Sequence, residues 1–584
     1  MPGRTVPTVT EPEDPAVGPG ADRPSSTRSR RPVAATTLGD LLHRRAAEHP
    51  AREAIVFPAE RASYGELADR AHALGRGLLA LGVAPGDRVG ILLPASVDLV
   101  ALLVAVTDVG AIAVPINARF KAVELSGIVA HSGMRVLVTA PPQPGEPDFL
   151  DLLAETFPHL AGSGPGELVL PEAPELRHVV HLGGPGGAGI VAGAEFDALA
   201  AGTDPAAVER AAQGVRVRDT ALLVYTSGTT ASPKGAMLSH EAVTRLADGI
   251  ARERMPLSGA DRVWTAIPLF HGGGITFALS CLTAGATFVH PRFFDPSTTL
   301  DLLVRERVTV ALAAFETIWM PVLNRPDFAE HDLSRIRVVM AVGVPERLRT
   351  MAARLPHAVH VSCVAMTESS AFLTLNRLDD PPAARAETGG HPMPGMQCRV
   401  VDPESGADLP PGTPGELLFR GPNAFDGYFR DPELTAQVFD EHGWFHSGDV
   451  VVADEDGRLT FLSRLKDMLK VGGENVSAAE VEGHLLGHPA VGIVAVVAAP
   501  DARYVEVPAA FVQLAPGQEA TEQELVDFCV GRIASYRVPR YIRFVTEWPM
   551  SGTKIRKVEL RRRIAAELDD AGVTEAPRVD GRHG

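Results

Sequence analysis

The stretch that decides the fold reads Tyr225-Thr226-Ser227-Gly228-Thr229-Thr230-Ala231-Ser232-Pro233-Lys234-Gly235. It follows an apolar segment with a strand pattern (221–225) and comes before a segment with a helical pattern (240–253). Glycine and small hydroxylated residues let N–H and O–H groups approach an anionic phosphate closely, and Lys234 adds positive charge. No Gly-Lys-Ser/Thr follows a glycine at the required spacing, which excludes the common NTPase loop. The sequence therefore predicts a nucleotide-phosphate loop between a strand and a helix.

Strands and helices alternate on both sides of this loop. Segments 64–81 and 97–107 have helical periodicity, and strand-like segments 87–93 and 111–115 flank the second of them. A strand, a helix of about ten residues and another strand favour right-handed βαβ units and a mainly parallel sheet. The predicted fold class is therefore α/β for the large N-terminal part.

The pattern changes in the C-terminal third. Short β-like segments separated by turn signals (398–402, 415–420 and 458–462) predict a β-rich subdomain. A helix, two strands and two further helices after residue 465 predict a small α+β domain of about a hundred residues. With 584 residues, the chain exceeds what one core usually supports. The expected domains are a disordered tail at 1–35, a large domain at 36–462, a linker at 463–467, a small domain at 468–563 and a flexible tail at 564–584.

Composition excludes several classes of protein. The formal net charge of −17 argues against non-specific binding to nucleic acid, which depends on Lys and Arg neutralising phosphates. The four cysteines have no CxxC spacing, which argues against a disulfide framework or a zinc site and favours a reducing cytoplasm. No apolar run is long enough to span a bilayer, so we expect no membrane insertion.

The eleven-residue loop resembles the Ser/Thr/Gly-rich signature of the adenylate-forming superfamily, which includes acyl-CoA synthetases, peptide-synthetase adenylation domains and luciferases. The resemblance extends over roughly residues 37–560, with further motifs in family order. It implies an acyl-CoA synthetase, or AMP-dependent carboxylate–CoA ligase, which is an acid–thiol ligase. It also implies a small domain that rotates between two half-reactions. The nucleotide-binding residues implied are Thr226, Ser227, Gly228, Thr229, Thr230, Lys234, Gly343, Val364, Asp449 and Arg464.

Two motifs in the middle of the chain resemble catalytic segments of the family. Leu269-Phe270-His271-Gly272-Gly273-Gly274 resembles the Phe-His motif, in which the histidine lies beside the acyl carboxylate and gates the thiol tunnel. Met366-Thr367-Glu368 resembles the end of the Thr-Glu motif. By the resemblance, Thr367 contacts the α-phosphate and Glu368 holds Mg²⁺, a role that suits a hard carboxylate ligand.

Later motifs resemble the ribose site, the hinge and the mobile lysine loop. In Trp444-Phe445-His446-Ser447-Gly448-Asp449 the aspartate is expected on the ribose hydroxyls, and Arg464 is expected on ribose and phosphate. Asp467 aligns with the interdomain hinge. The residues implied for the coenzyme A tunnel are Gly472, Gly473 and Glu474. Lys554 aligns with the lysine that bridges the carboxylate and α-phosphate oxygens during adenylation.

Several departures from the family pattern cluster on the ATP-facing elements. Ala231 stands where glycine is usual in the phosphate loop, Val364 replaces the aromatic residue that stacks on adenine, and Ala365 replaces the next glycine. Ser463 takes a usual glycine place, and the loop before Lys554 is about one residue short. Lost stacking is worth about 1 kcal/mol. These departures put the adenylation half-reaction at risk.

The acid is expected to be bulky and mostly apolar. Segments that line the acyl pocket in relatives carry small side chains here, and each methylene that a ligand buries is worth about 0.8 kcal/mol. The implied pocket residues are Gly273, Gly274, Ala314, Ala341 and Ala365. Amino-acid-activating relatives place an acid against the substrate ammonium, and Glu316 is the one candidate on these segments.

The expected reaction joins a carboxylic acid to coenzyme A through acyl-AMP, using ATP and Mg²⁺. Three alternatives stay open: a ligase that only forms thioesters from acyl-AMP made elsewhere, acyl transfer to a carrier-protein phosphopantetheine, and a catalytically silent acyl or adenylate-binding protein. The expected partners are the acid or its acyl-AMP, ATP and coenzyme A, and the chain is compatible with a monomer or a homodimer.

Overall fold

The computed structural model describes residues 36–142, 146, 148–164, 168–226, 234–465, 468–471, 474–551 and 554–578. The helices of these ranges begin with α1, whose start is fixed by a capping box between Thr37 and Asp40. The α-helices are α1 (Leu38–Glu48), α2 (Tyr64–Ala80), α3 (Val97–Asp108), α4 (Ala122–Ser132), α5 (Phe149–Thr156), α6 (Gly193–Gly202), α7 (Ala207–Ala212), α8 (His240–Gly249), α9 (Gly272–Ala284), α10 (Pro296–Arg305), α11 (Glu316–Leu323), α12 (Pro345–Arg354), α13 (Pro382–Glu387), α14 (Pro432–Val438), α15 (Ala478–Leu486), α16 (Glu522–Cys529) and α17 (Lys557–Asp570).

The strands of the same ranges divide into large and small sheets. They are β1 (Glu53–Val56), β2 (Arg61–Ser63), β3 (Arg88–Ile91), β4 (Ile112–Pro115), β5 (Val136–Thr139), β6 (His178–His181), β7 (Ile190–Ala192), β8 (Thr220–Thr226), β9 (Lys234–Ser239), β10 (Arg262–Thr265), β11 (Thr287–Val289), β12 (Val310–Phe315), β13 (Val338–Val342), β14 (Val359–Val361), β15 (Cys363–Met366), β16 (Ala371–Leu375), β17 (His391–Pro392), β18 (Gln397–Val401), β19 (Gly415–Arg420), β20 (Phe445–Ala453), β21 (Leu459–Arg464), β22 (Met468–Val471), β23 (Glu474–Ser477), β24 (Val491–Asp501), β25 (Val505–Leu514), β26 (Tyr541–Phe544), β27 (Met550–Ser551) and β28 (Lys554–Ile555).

Two seven-stranded sheets form the body of the large domain. One has the order β14-β13-β12-β10-β11-β1-β2 and the other β7-β6-β5-β3-β4-β8-β9. Each is parallel except for one antiparallel edge strand, β2 or β9. The helices α3 and α9 are apolar on nearly all sides and belong to one core cluster that takes residues from both sheets. A helix that is apolar all round is stable only when buried, so these two lie between the sheets. The predicted α/β class is confirmed.

The remaining sheets match the change of pattern that the sequence predicts for the C-terminal third of the chain. The strands β18 to β21 form an antiparallel sheet in chain order. In the C-terminal domain, β23, β22, β25 and β24 form a sheet to which β26 adds in parallel, and α15, α16 and α17 accompany it. This is the expected small α+β domain. Its closing helix α17 runs through the predicted boundary at 563, because Ile564 and Leu568 are buried in the core of the domain. The ordered domain is therefore longer than predicted, and Ala576 still donates a backbone hydrogen bond to Asp501.

Two local predictions are corrected by the structure. The phosphate loop returns into the antiparallel strand β9, paired with β8, and the helix α8 begins only after that strand. The helical pattern of the sequence predicts a helix at 275–284, but α9 begins three residues earlier, at Gly272. A run of glycines has poor helix propensity and hides the start from periodicity. No helix of the described ranges is long and apolar enough to cross a membrane.

Candidate active site

Three neighbouring parallel strands end at one edge of the first large sheet. The strands β13, β12 and β10 are adjacent, and their carboxyl ends lead to Gly343, to Phe315 and Glu316, and to His271. Loops at the carboxyl ends of parallel strands are the usual ligand sites of α/β sheets. We call this edge, defined by His271, Phe315, Glu316 and Gly343, the strand-end face. His271, Phe315 and Gly343 are exposed there.

His271 is the N-cap residue of α9, and its ring lies 4.6 Å from that of Phe270. The three glycines that follow form the first turn of the helix. A Cβ at Gly273 would have side-chain carbon atoms of Ile267 and Phe372 as its nearest neighbours, at the ordinary contact distance of 3.6 to 3.8 Å. At Gly274, however, a Cβ would lie 2.5 Å from the carbonyl oxygen of Pro268. Close backbone approach therefore requires glycine at position 274, and the place of Gly274 in the acyl pocket stays a prediction.

The phosphate loop is anchored by the hairpin of β8 and β9. Thr226 pairs with Lys234 in that hairpin, which holds the two ends of the loop together. Segment 426–429 runs beside β9, since the N–H of Phe429 donates to the carbonyl of Gly235. This pairing brings Tyr428 under Lys234, whose ammonium lies 5.6 Å from the centre of the phenol ring.

Tyr428 also contacts the predicted metal ligand. Its hydroxyl donates a 2.8 Å hydrogen bond to Oε1 of Glu368, and only 6% of Tyr428 is exposed. Burial and the neighbouring carboxylate of Glu368 raise the pKa of Tyr428 well above its usual value, so the phenol stays a donor. Glu368 lies in a short 3-10 helix with Thr367. The contact fixes the direction of the carboxylate and still leaves it lone pairs for other ligands.

Asp449 and Arg464 are joined across two antiparallel strands. They face each other in the register of β20 and β21, and Nε of Arg464 lies 2.7 Å from Oδ1 of Asp449. The aspartate side chain is 4% exposed, whereas that of Arg464 is 44% exposed. Arg464 also lies close enough to Tyr428 to oppose the rise in the pKa of the phenol. Motifs that are far apart in sequence therefore meet in one charged group, which we call the nucleotide cluster: Lys234, Glu368, Tyr428, Asp449 and Arg464.

Tyr428 is a member of this cluster that sequence reasoning missed. A single tyrosine in a loop has no spacing that distinguishes it from a packed aromatic residue. The side chain is recognised only through its contacts, which join Lys234 to Glu368.

Three residues predicted for the nucleotide and acyl pockets, Val364, Ala314 and Ala341, are buried in the cores of the domain. Val364 is 5% exposed and packs in the core against Gly389, whereas the following Ala365 is exposed. Ala341 packs in the separate core cluster that contains Trp319, and Ala314 belongs to the main cluster on the other side. Small size at Ala341 therefore serves packing beneath α11.

Part of the predicted site lies outside the described residues: Ser227, Gly228, Thr229, Thr230, Asp467, Gly472 and Gly473, together with the side chains of Thr226, Glu474 and Lys554. Within the described ranges, no group of three or more His, Cys, Asp or Glu side chains is placed to hold a metal ion. Mg²⁺ commonly takes one or two protein carboxylates together with substrate phosphates and water, so the single carboxylate of Glu368 fits that ion.

Two family models match this chain and identify the family to which it belongs. The AMP-binding enzyme model matches residues 42–429, and the model of the AMP-binding enzyme C-terminal domain matches residues 480–554. The chain belongs to the AMP-binding enzyme family. The resemblance drawn from the phosphate loop is confirmed, and the two matched regions lie in the large and the small domain.

Relatives of this AMP-binding enzyme include acyl-CoA synthetases and ligases. A feruloyl-CoA synthase of Amycolatopsis is 35% identical, and the alignment covers 90% of this chain and 99% of that protein. A human medium-chain acyl-CoA ligase, ACSF2, is 31% identical over 91% of this chain and 88% of its own length. The crystal structure of ATP-bound MatB from Rhodopseudomonas palustris superposes with a TM-score of 0.77 at 28% identity, covering 90% of this chain and 99% of that one. The expected enzyme class, a carboxylate–CoA ligase, is therefore confirmed.

Proposed function

We propose that this ligase activates a bulky, mostly apolar carboxylic acid with ATP and transfers the acyl group to coenzyme A. In the first step a carboxylate oxygen attacks the α-phosphorus, and pyrophosphate leaves with the electrons of the broken P–O bond. In the second step the coenzyme A thiol, having lost its proton, attacks the acyl carbon, and AMP leaves. The observation that carries the proposal is the nucleotide cluster, in which Tyr428 contacts Lys234 and Glu368 and lies near Arg464, which in turn pairs with Asp449.

Each charged member of the cluster has a role that its surroundings support. Lys234 stands at the end of the phosphate loop and stabilises negative charge on the transferring phosphate. Asp449 is buried and already oriented by Arg464, which suits an acceptor of two ribose hydroxyl hydrogen bonds. Arg464 is nearly half exposed, so it can contact ribose and phosphate while it orients Asp449. Thr367 would donate to the α-phosphate, and Lys554 would bridge the two reacting groups.

Glu368 is the residue that would hold Mg²⁺. When bound, the ion supplies electrostatic stabilisation of the phosphate charge. Tyr428 keeps the carboxylate of Glu368 directed by its hydrogen bond. Its burial also excludes water from that side of the carboxylate.

The second half-reaction depends on residues of the small domain. We propose that Asp467 is the hinge and that Gly472, Gly473 and Glu474 line the coenzyme A tunnel after rotation. His271 would then gate the tunnel from the N-terminus of α9, where it is exposed on the strand-end face. Hinge residues absorb the backbone rotation of such closures and sit away from the chemistry.

The size of the acid is proposed from the space around Gly273 and Ala365. A methyl group at Gly273 would have no neighbouring atom closer than 3.6 Å, and Ala365 presents an exposed small side chain. Apolar surface buried by a large acid contributes about 25 cal/mol per Å². Selectivity is therefore expected to rise with apolar size.

A second candidate is a ligase that forms thioesters only from acyl-AMP supplied by another enzyme. The observation that favours it is Val364, which replaces an aromatic residue and turns its small side chain into the core. Adenine then lacks a stacking partner at that position, and ATP binding should weaken.

The test measures the two half-reactions separately. Purified protein is incubated with ATP, Mg²⁺ and a panel of carboxylic acids, and pyrophosphate release is followed without coenzyme A. Thioester formation is then followed from synthetic acyl-AMP and coenzyme A. We expect both activities. Thioester formation without pyrophosphate release would support the second candidate, and the absence of both with every acid would contradict both proposals.

We also propose a cytoplasmic location. The four free cysteines, three of them buried, support it because disulfides are rare in a reducing compartment.

Light scattering after size-exclusion chromatography would distinguish a monomer from a homodimer.

A further inference from the structure

Glu316 is an acid in the middle of the strand-end face. It is the first residue of α11 and directly follows Phe315, the last residue of β12. Phe315 is 37% exposed, and the side chain of Glu316 is 34% exposed. The next strand of the sheet, β13, ends at Val342, and Gly343 follows it. The two strand-end positions beside Glu316, Phe315 and Gly343, are therefore apolar or lack a side chain.

The negative charge of the Glu316 carboxylate is stabilised by few neighbouring groups. Its Oε2 atom is buried, and no donor within the described residues lies at hydrogen-bond distance. Nε of Arg347 lies 4.0 Å from Oε2, which is too far for a hydrogen bond and gives only a partly screened attraction. Burial raises the pKa of Glu316, and Arg347 opposes this rise.

A buried oxygen without a donor costs free energy, so its presence in a native fold requires an explanation. Packing does not explain the buried carboxylate, because a glutamine or leucine of similar size would fill the same volume without a charge. Backbone capping does not explain it either, since the N-cap of α11 is Phe315 and makes no side-chain cap bond. The donor must then come from outside the described part of the chain, and the exposed third of the side chain gives a ligand access to the carboxylate.

We propose that Glu316 accepts a hydrogen bond from a hydroxyl or amino group on the acyl part of the substrate. The preferred acid is then bulky and apolar over most of its surface but has one polar group that donates a hydrogen bond. This inference rests on the proposed acyl-activating function and narrows its substrate class.

Such a contact discriminates strongly between related acids. A hydrogen bond to a charged group favours the donor-bearing acid by about tenfold or more over its methyl or methoxy analogue. A site built around a buried acceptor also rejects the analogue, because the acceptor is then left without a partner.

The experiment compares matched pairs of acids in the wild type, Glu316→Leu, Glu316→Gln and Arg347→Leu. The pairs are para-hydroxycinnamate with para-methoxycinnamate, para-aminobenzoate with para-methylbenzoate, and ω-hydroxydodecanoate with dodecanoate, so that the donor lies at different distances from the carboxylate. The readout is the ratio of kcat/KM within each pair, measured as pyrophosphate release and as thioester formation from the matching acyl-AMP.

We expect the wild type to favour the donor-bearing acid of at least one pair by about tenfold or more. Glu316→Leu should lower that ratio to about one or below and keep or improve the rate with the apolar member, which shows that the variant folds. Glu316→Gln should retain part of the preference because its amide oxygen still accepts. Arg347→Leu should keep the preference, since it removes only the distant cation.

Three results would overturn the inference while leaving the proposed function intact. They are the same ratio in the wild type and Glu316→Leu, no donor preference in any pair, and loss of the preference only in Arg347→Leu. An increase in the KM for ATP in Glu316→Leu with unchanged ratios would also overturn it, by assigning the carboxylate to the nucleotide. A wild type that is inactive with every acid and every acyl-AMP would instead contradict the proposed function, and the inference would fall with it.

Discussion

The hydroxyl of Tyr428 donates a 2.8 Å hydrogen bond to Glu368, while the ring of the same tyrosine lies 5.6 Å from the ammonium of Lys234. One buried side chain thus orients a carboxylate by hydrogen bonding and attracts a cation through its ring. The two charged groups come from different motifs, the end of the phosphate loop and the Thr-Glu segment. Tyr428 therefore acts as a positioning residue for both.

Replacing Tyr428 with Phe tests this relationship. The ring stays beside Lys234, but Glu368 loses its donor and the direction it imposes. We expect the Mg²⁺ concentration for half-maximal pyrophosphate release to rise several-fold, since loss of an outer partner of a metal ligand commonly costs about 10-fold or more in affinity. Mg²⁺-dependent protection against thermal unfolding in the presence of ATP should weaken in parallel, which gives a readout besides turnover.

Tyr64→Phe is the matched control. Tyr64 is also buried, and its hydroxyl donates to the carbonyls of Cys281 and Ala286, which lie outside the nucleotide cluster. This variant should lose thermal stability and keep the Mg²⁺ dependence of the wild type. An unchanged Mg²⁺ requirement in Tyr428→Phe, or an equal change in both variants, would show that the contact only stabilises the fold.

Lys554→Ala is expected to abolish pyrophosphate release and to leave thioester formation from synthetic acyl-AMP largely intact. The physical reason is the proposed rotation of the small domain, which would remove this lysine from the site before the second step. Lys557→Ala is the control, because Lys557 pairs with Glu482 at 2.6 Å within the small domain. It should affect the two steps to a similar extent. Equal loss of both steps in Lys554→Ala would contradict the assignment.

The sequence predicted regular elements well and their contacts poorly. The sequence pattern predicts a helix at 478–486, which are the bounds of α15, and α2 ends one residue before its predicted end at 81. These predictions succeed because periodicity and capping are local properties. The contact between Tyr428 and Glu368 joins residues 60 positions apart and depends on the pairing of segment 426–429 with β9. No local pattern encodes that pairing. For the same reason Glu316 could be noted as an acid in the sequence, but its missing donor could not be seen.

The pair of His43 and Asp108 predicts how stability depends on pH. Nε2 of His43 lies 2.7 Å from Oδ2 of the buried Asp108 and so joins α1 to α3. This hydrogen bond raises the pKa of His43 above its usual value, so the stabilisation is complete below about pH 6.5 and is lost as pH rises through the raised pKa. The wild type should exceed His43→Gln in Tm by more at about pH 6 than at about pH 8.5.

The expected size is about 1 kcal/mol or less, because His43 is 41% exposed and solvent screens the pair. Burial raises the pKa of Asp108 despite this bond, so the comparison stays above the acid range in which that carboxyl titrates. A Tm difference that is constant or grows with pH would contradict the assigned direction.

Val505 stores backbone strain at the turn between β24 and β25. Its φ is +72°, a value that β-branched residues rarely adopt, and 70% of it is exposed. Glycine relieves about 1–2 kcal/mol of strain in this region but loses about 0.5–1 kcal/mol through chain entropy. Val505→Gly should therefore raise the free energy of unfolding of the small domain by up to about 1.5 kcal/mol. Chemical denaturation measures this change, and a lower midpoint would contradict the strained conformation.

The two glycines after Gly272 in α9 are expected to differ in whether they tolerate a larger side chain. A Cβ at Gly273 would meet side-chain carbons of Ile267 and Phe372 at ordinary contact distance. A Cβ at Gly274 would lie 2.5 and 2.6 Å from two backbone oxygens, those of Pro268 and Ile267. Backbone atoms cannot move aside as the end of a flexible side chain can, so only the first position accepts a larger residue.

Gly273→Trp is therefore expected to fold and to shift selectivity from large acids to small ones, because the indole fills space that a bulky acid would use. The measurement is kcat/KM for acetate, benzoate, a medium-chain fatty acid and a polycyclic carboxylate. The wild type should favour the larger acids, by up to several kcal/mol of binding at about 0.8 kcal/mol for each buried methylene, and the variant should lose most with the largest. Gly274→Ala is the control: its clash should lower Tm and reduce the rate with all four acids alike. A wild type that prefers acetate, or a Gly273→Trp variant that handles the polycyclic acid as well as the wild type, would refute the proposal that this pocket is roomy.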